Sequence, residues 1–247
     1  MNDTEQGVLI LGATSDMGRA LAHAYAAAGA PLHLAARNAE RLAQDRDDLA
    51  ARYGVDVSVH AFDVLDPAQD DALLKALDPL PAITICVVGL MEDQSELQAD
   101  VERSERVLQA NFNGPVRLLG RIANAYEARG SGTIVGVSSV AGDRGRATNY
   151  VYGSAKAGMT AWLSGLRNRL NGTGVRVMTV KPGFVRTRMT EGMDLPGALT
   201  ASAEEIAGQI RRAEQAGREV LYYRRVWRPI MWIIRMIPEP IFKRLSL

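Results

Sequence analysis

Val8-Leu-Ile-Leu-Gly12-Ala-Thr-Ser-Asp-Met-Gly18, followed by the alanine-rich stretch Arg19–Ala28, decides the fold. Four apolar residues make a short strand, the glycine-bounded segment makes a turn, and Arg19–Ala28 reads as a helix. A strand that runs straight into a helix aims the helix's free N–H groups at the strand end. Those groups and the helix dipole form an anion cradle suited to a pyrophosphate, lined here by Thr14, Ser15, Asp16 and Met17. Gly12 permits the tight turn and Gly18 close packing of the helix. A glycine pair alone also marks ordinary strand-to-helix turns. The context that turns it into a dinucleotide site is a second strand, and Pro31–Ala36 supplies it.

Arg37 ends that second strand. An acidic residue there would take the ribose 2′-hydroxyl of NAD, whereas an arginine suits the 2′-phosphate of NADP. Arg41 is one helical turn on and placed to assist; the plainer reading of Arg37 is a solvated helix-capping residue. The alternation then continues: helix Ala39–Arg52, strand Val55–Ala61, helix Ala68–Ala76, strand Ala82–Val88 and a long helix from about Asp100 to Ala128. That helix contains Asn111 and is interrupted near Asn113-Gly114-Pro115. Strand Gly132–Val137, a helix reaching about Leu170, strand Val175–Val180, helix Ala203–Glu214 and strand Glu219–Tyr223 complete the run. Such alternation predicts a parallel, doubly wound sheet that binds ligands at the carboxyl ends of its strands. Gly12, Arg37, Asp63 with Val64, Gly89, Ser139 and Pro182-Gly183 all fall there. Asp63 either touches an adenine edge or caps the next turn.

Asn149-Tyr-Val-Tyr152-Gly-Ser-Ala-Lys156 carries the reactive groups. Tyr152 and Lys156, four apart on a helix, share one face. A phenol titrates near ~10 in water, and a lysine ammonium one turn away is expected to pull that value down. The pair suits proton exchange with an alcohol or carbonyl. Ser139, thirteen residues upstream, offers a hydroxyl to hold a substrate oxygen. Ser138 and Tyr150 are the alternatives to Ser139 and Tyr152.

The 247 residues, 47% hydrophobic and 23% charged, fit one sizeable α/β domain. Net charge is only +1, which argues against nucleic-acid binding, yet residues 224–247 hold six cations against Glu239 and carry +5. Residues 1–223 are read as the nucleotide-binding domain and 224–247 as a basic amphipathic segment. No metal-ligating constellation is expected. The lone Cys86, inside an apolar run, and the polar start Met1–Gln6, which is no signal peptide, point to the cytoplasm. In Val226–Pro238, Trp227, Ile230, Met231, Ile234 and Ile237 fall on one helical face, and Trp232, Ile233 and Met236 extend it. The run is too short to span a bilayer. It suits either a helix in the membrane interface, at the inner face, or a helix packed on the domain or a partner subunit.

From Val8 to about Tyr223 the chain resembles the short-chain dehydrogenase/reductase family: the glycine turn, Asn111, Ser139, Tyr152, Lys156 and Pro182-Gly183 occur in that family's order and approximate spacing. The resemblance implies a Rossmann-type domain with a mostly parallel seven-stranded sheet and an NADP- or NAD-dependent interconversion of a secondary alcohol and a ketone, in a dimer or tetramer. It implies Tyr152 as acid/base, Ser139 orienting the carbonyl, Lys156 holding the nicotinamide ribose and Asn111 supporting a proton relay. Backbone at Val185 and the Thr187 hydroxyl would hold the carboxamide. Asp16 stands where the family usually has a third glycine, and Cys86-Val-Val-Gly89 replaces Asn-Asn-Ala-Gly. Gly142–Arg146 with Asn149–Tyr152 resembles a bacterial subset that includes the reductase component acting on decaprenylphosphoryl-ribose, which implies a lipid-linked sugar substrate. The alternative function is a nucleotide-binding regulatory or structural subunit without catalysis.

Overall fold

The computed structural model describes residues 6–245; Met1–Glu5 of the polar start and the last two residues of the tail lie outside the described residues. The strands are β1 (Val8–Leu11), β2 (Leu32–Ala36), β3 (Val57–Ala61), β4 (Ile83–Cys86), β5 (Gly132–Val137), β6 (Val175–Pro182), β7 (Phe184–Arg186), β8 (Thr200–Ser202) and β9 (Val220–Tyr223). The helices are α1 (Asp16–Ala26), α2 (Ala43–Tyr53), α3 (Gln69–Ala76), α4 (Gln94–Leu97), α5 (Val101–Leu108), α6 (Gly114–Arg129), α7 (Tyr150–Arg169), α8 (Ala203–Gln215), α9 (Trp227–Met236) and α10 (Glu239–Phe242). Seven strands form one sheet in the order β3-β2-β1-β4-β5-β6-β9, every neighbouring pair parallel.

β1 shows why this sequence builds a two-sided core. Val8 and Ile10 enter one cluster with Leu21, Tyr25 and Ile206, while Leu9 and Leu11 enter the opposite one with Leu119, Ile122 and Leu163. Helices cover both faces, so the strand reads as a continuous apolar run rather than an alternation. Each such side chain contributes roughly 1.5–3 kcal/mol by leaving water.

Several boundaries differ from the sequence expectation for local reasons. Helix α1 starts at Asp16, not Arg19, because the Ser15 hydroxyl caps it by accepting the Gly18 N–H. The expected Asp100–Ala128 helix divides at a wide π turn, Gln109–Asn113, placed around Asn111. The segment after β6 holds a further pairing. Its short strand β7 pairs in parallel with β8, with Val185 opposite Ala201; three-residue strands leave too little periodicity to read.

Helix α9 packs on the domain through Trp227, Met231, Ile230 and Ile234, against Val140, Phe184, Leu199 and Tyr222. The Trp227 ring meets Phe184 edge-on at 5.3 Å. Arg144 holds the end of this helix, donating to the carbonyls of Ile234 (2.9 Å) and Ile237 (2.5 Å), pairing with Glu239 and stacking on Phe242. Among the described residues no helix is long and apolar enough to cross a membrane.

Candidate active site

The strand-end residues gather at the carboxyl edge of the sheet, where the chain switches from building outward on the β2 side of β1 to the β4 side. That switch opens a crevice in any sheet of this kind.

The glycine turn lies at its base. Gly12 has φ +89°, and a Cβ on Gly18 would stand 2.5 Å from the Gly12 carbonyl oxygen, so neither position admits a larger residue without movement. The Ser15 hydroxyl closes the turn, donating to the Gly12 carbonyl (2.8 Å) and accepting from Gly18 (3.0 Å). Among the described residues the N–H groups of Asp16 and Met17 make no hydrogen bond, which leaves first-turn donors open to an anion. Met17's side chain packs on the α1 side of the core.

Asp16 is turned aside and neutralised. Arg188, in the segment after β7, donates its backbone N–H to Asp16 Oδ2 (2.7 Å) and its Nε to Oδ1 (2.9 Å), while Nη2 reaches the Thr14 carbonyl (2.6 Å). Sequence reasoning missed Arg188, and no local pattern reports a pair 172 residues apart. With that charge answered, the turn fits a pyrophosphate.

Arg37 is exposed at the end of β2, without a hydrogen-bond or ion-pair partner among the described residues, and Arg41 is exposed beside it. Asp63 caps the following turn: its Oδ1 accepts the Leu65 N–H at 3.0 Å. Val64 is a core side chain, and its carbonyl accepts from Arg117. Past β4, the missing side chain of Gly89 leaves the cleft floor open; a Cβ there would stand 3.1 Å from Asn111 Oδ1 and 3.6 Å from Lys156 Nζ. Near the opposite wall, Val185 is buried, its carbonyl accepting from the Thr190 hydroxyl (2.7 Å), and the Thr187 hydroxyl accepts the Thr190 N–H. Pro182 ends β6, and Gly183 donates its N–H to the Tyr223 carbonyl.

Asn111 sits in the π turn, 1% exposed, with its amide donating to the carbonyls of Leu90 (2.6 Å) and Val107 (2.8 Å). Such turns re-aim a helical side chain, here toward the loop after β4. The two serines separate cleanly. Ser138 faces α7, donating to the Lys156 carbonyl (2.8 Å) and meeting the Thr160 hydroxyl (2.7 Å). Ser139, half-buried, accepts the Ala141 N–H (3.1 Å), and its hydroxyl favours the Tyr152 phenolate. Tyr150 is 42% exposed and has no such partner among the described residues, while Gln94 accepts the Val151 N–H and holds the first turn of α7 in place.

Lys156 is buried, its Nζ donating to the Val137 carbonyl (3.2 Å) and lying 5.6 Å from the Tyr152 ring centre. The expectation that this lysine lowers the tyrosine is corrected. Burial pushes Tyr152 up to about 12, with only the Ser139 hydroxyl opposing. Burial likewise brings Lys156 down to about 8. Desolvation disfavours the charged form of each, and it outweighs a contact made across the ring rather than at the phenol oxygen. Burial pushes the Cys86 thiol up as well. The site therefore offers a protonated phenol, a hydroxyl and a lysine close to its titration point. A separate cavity of about 180 Å³ lies at the amino ends of β5 and β6, around Thr133, Arg176 and Glu214, and holds none of these groups.

Comparison with known proteins bears on the family and the fold. The family model for short chain dehydrogenase matches residues 6–195. An uncharacterised oxidoreductase of Mycobacterium tuberculosis is 37% identical over 250 residues, 99% of each chain. A short-chain dehydrogenase from Sphingobium yanoikuyae in complex with NADPH superposes with TM-score 0.82 at 25% identity, over 94% of this chain and 97% of the other. One from Burkholderia cenocepacia in complex with NADP has the same fold, with TM-score 0.82 at 20% identity over the whole of both chains. The chain belongs to the short-chain dehydrogenase family and is a dehydrogenase/reductase.

Proposed function

We propose that the protein is an NADP-dependent oxidoreductase that interconverts a secondary alcohol and a ketone on an amphiphilic substrate such as a lipid-linked sugar, working as a homo-oligomer in the cytoplasm at the membrane's inner face. The observation that carries the chemistry is Lys156 buried 5.6 Å from the Tyr152 ring centre, with the Ser139 hydroxyl favouring the phenolate and Asn111 anchored in the π turn. A bound nicotinamide cofactor would supply or accept the hydride. Ser139 would hold the substrate oxygen, and Tyr152 would give that oxygen its proton in reduction or take it in oxidation. A phenol at about 12 is protonated at neutral pH, which favours the donor role. Lys156 would bind the nicotinamide ribose and steady the phenolate left behind. Asn111, anchored to the Leu90 carbonyl, would keep the loop after β4 in register with a water chain. Pyrophosphate would sit on the free donors of the glycine turn, with Val185 and Thr187 at the nicotinamide end.

The preference for NADP(H) rests on Arg37, and the NADP-bound neighbours support it. A charge-assisted contact to the 2′-phosphate is worth on the order of 1.5–3 kcal/mol, so Arg37→Ala should weaken NADPH binding by that amount and leave NADH nearly unchanged in a fluorescence titration. The chemistry is tested by Tyr152→Phe. It should cost about 10²–10⁴ in turnover on a ketone panel that includes lipid-linked sugars, while NADPH affinity is preserved. Full turnover by that variant would sink the mechanism.

A further inference from the structure

Packing one face of α9 on the domain leaves a second apolar face without protein cover. Trp232, Ile233 and Met236 are 65%, 57% and 63% exposed, and Ile241 of α10 adds 55%. At helical spacing these three α9 residues lie opposite Trp227, Met231 and Ile234, which are turned inward. Arg228 and Arg235, seven residues apart, run along one flank; Lys243 and Arg244 follow α10. All four are exposed and, among the described residues, have no ion-pair partner. The tail's one anion, Glu239, is engaged by Arg144.

We propose that this face docks on an anionic lipid surface, with α9 lying in the plane of the interface. Charge complementarity selects that occupant. A second copy of the chain, packed symmetrically on the same face, would set one strongly cationic tail against another. A headgroup layer of negative charge answers the arginines and lysine, and its acyl boundary takes the tryptophan, isoleucines and methionine. The helix is too short to do more than lie there. The attachment would also be oriented, because α9 is fixed to the rim of the catalytic cleft: Arg144, five residues past Ser139, grips its C-terminal carbonyls, and Trp227 packs on Phe184. Delivery of an amphiphilic substrate to that cleft rests on the oxidoreductase reading; the docking surface does not.

The test is co-sedimentation of the full chain with phosphatidylglycerol–phosphatidylcholine vesicles and with phosphatidylcholine vesicles alone. The wild type should pellet with the first, less so as salt is raised, and stay in solution with the second. Trp232→Ser/Ile233→Ser/Met236→Ser and Arg228→Glu/Arg235→Glu should each reduce partitioning by about tenfold or more, while circular dichroism and NADPH binding stay unchanged. Tyr152→Phe should bind as the wild type does, so loss of the chemistry and loss of docking are read separately. Absence of phosphatidylglycerol-dependent pelleting overturns the proposal, as does pelleting that neither surface variant alters. An oligomer that the triple variant dissociates in light scattering, without vesicle binding, would assign the face to a second copy and overturn it equally.

Discussion

At the residue scale the site is governed by desolvation. Tyr152 and Lys156 move in opposite directions, up to about 12 and down to about 8, because burial penalises phenolate and ammonium alike. Below about pH 8 Lys156 holds its proton; above it the ammonium is lost while the phenol stays protonated. The kcat/KM for ketone reduction, which reports groups of the free enzyme, should therefore decline as pH rises through about 8, with a single proton lost. A profile flat from pH 7 to 10 would show that the lysine charge takes no part. Tyr152 and Lys156 were legible as residues because their spacing is a property of the chain, and Asn111 through the family resemblance. The sign of the tyrosine shift was not, since it depends on how far the cleft excludes water.

At the element scale two long-range contacts tie the cleft to its walls. The segment after β7 is latched to the N-terminus of α1 by Arg188 and Asp16. Arg188→Ala should uncover a carboxylate beside the pyrophosphate cradle and weaken NADPH binding by about 1 kcal/mol, the scale of a partly exposed ion pair. Asp16→Gly/Arg188→Ala should recover that loss, because the repelling charge is gone. A double variant no tighter than Arg188→Ala alone would show that the arginine acts otherwise, and calorimetric titration distinguishes the two. The second contact is Trp227 over Gly183, where an added Cβ would fall 1.8 Å from the indole Nε1. Gly183→Ala must therefore displace the indole, and Trp227→Ala leaves a void. A buried tryptophan truncation costs about 3–5 kcal/mol, so urea unfolding should show a loss of that order for Trp227→Ala. Limited proteolysis should cut after Arg224 or Arg225 faster in both variants. The π turn at Asn111 and the β7–β8 pairing escaped sequence reading for a shared reason: each is a short departure from periodicity, stabilised by partners far along the chain.

At the scale of the whole molecule, the all-parallel order β3-β2-β1-β4-β5-β6-β9 brings six separate strand ends to one edge. The sequence by itself determined the alternation, the glycine turn, the residues at each strand end and the Ser139–Tyr152–Lys156 spacing. These are local, since apolar period, turn chemistry and helical repeat are written within a few residues of one another. It also marked the tail as basic and amphipathic, with an apolar helical face extended around the side. Tertiary structure alone decided which serine meets Tyr152, that Asp16 is answered by Arg188, and which face of α9 turns inward on Phe184 and Leu199. Those outcomes depend on which surfaces meet after the sheet has assembled. A side chain's neighbours 22 or 172 residues away set its burial and its charge, and no local pattern carries that information.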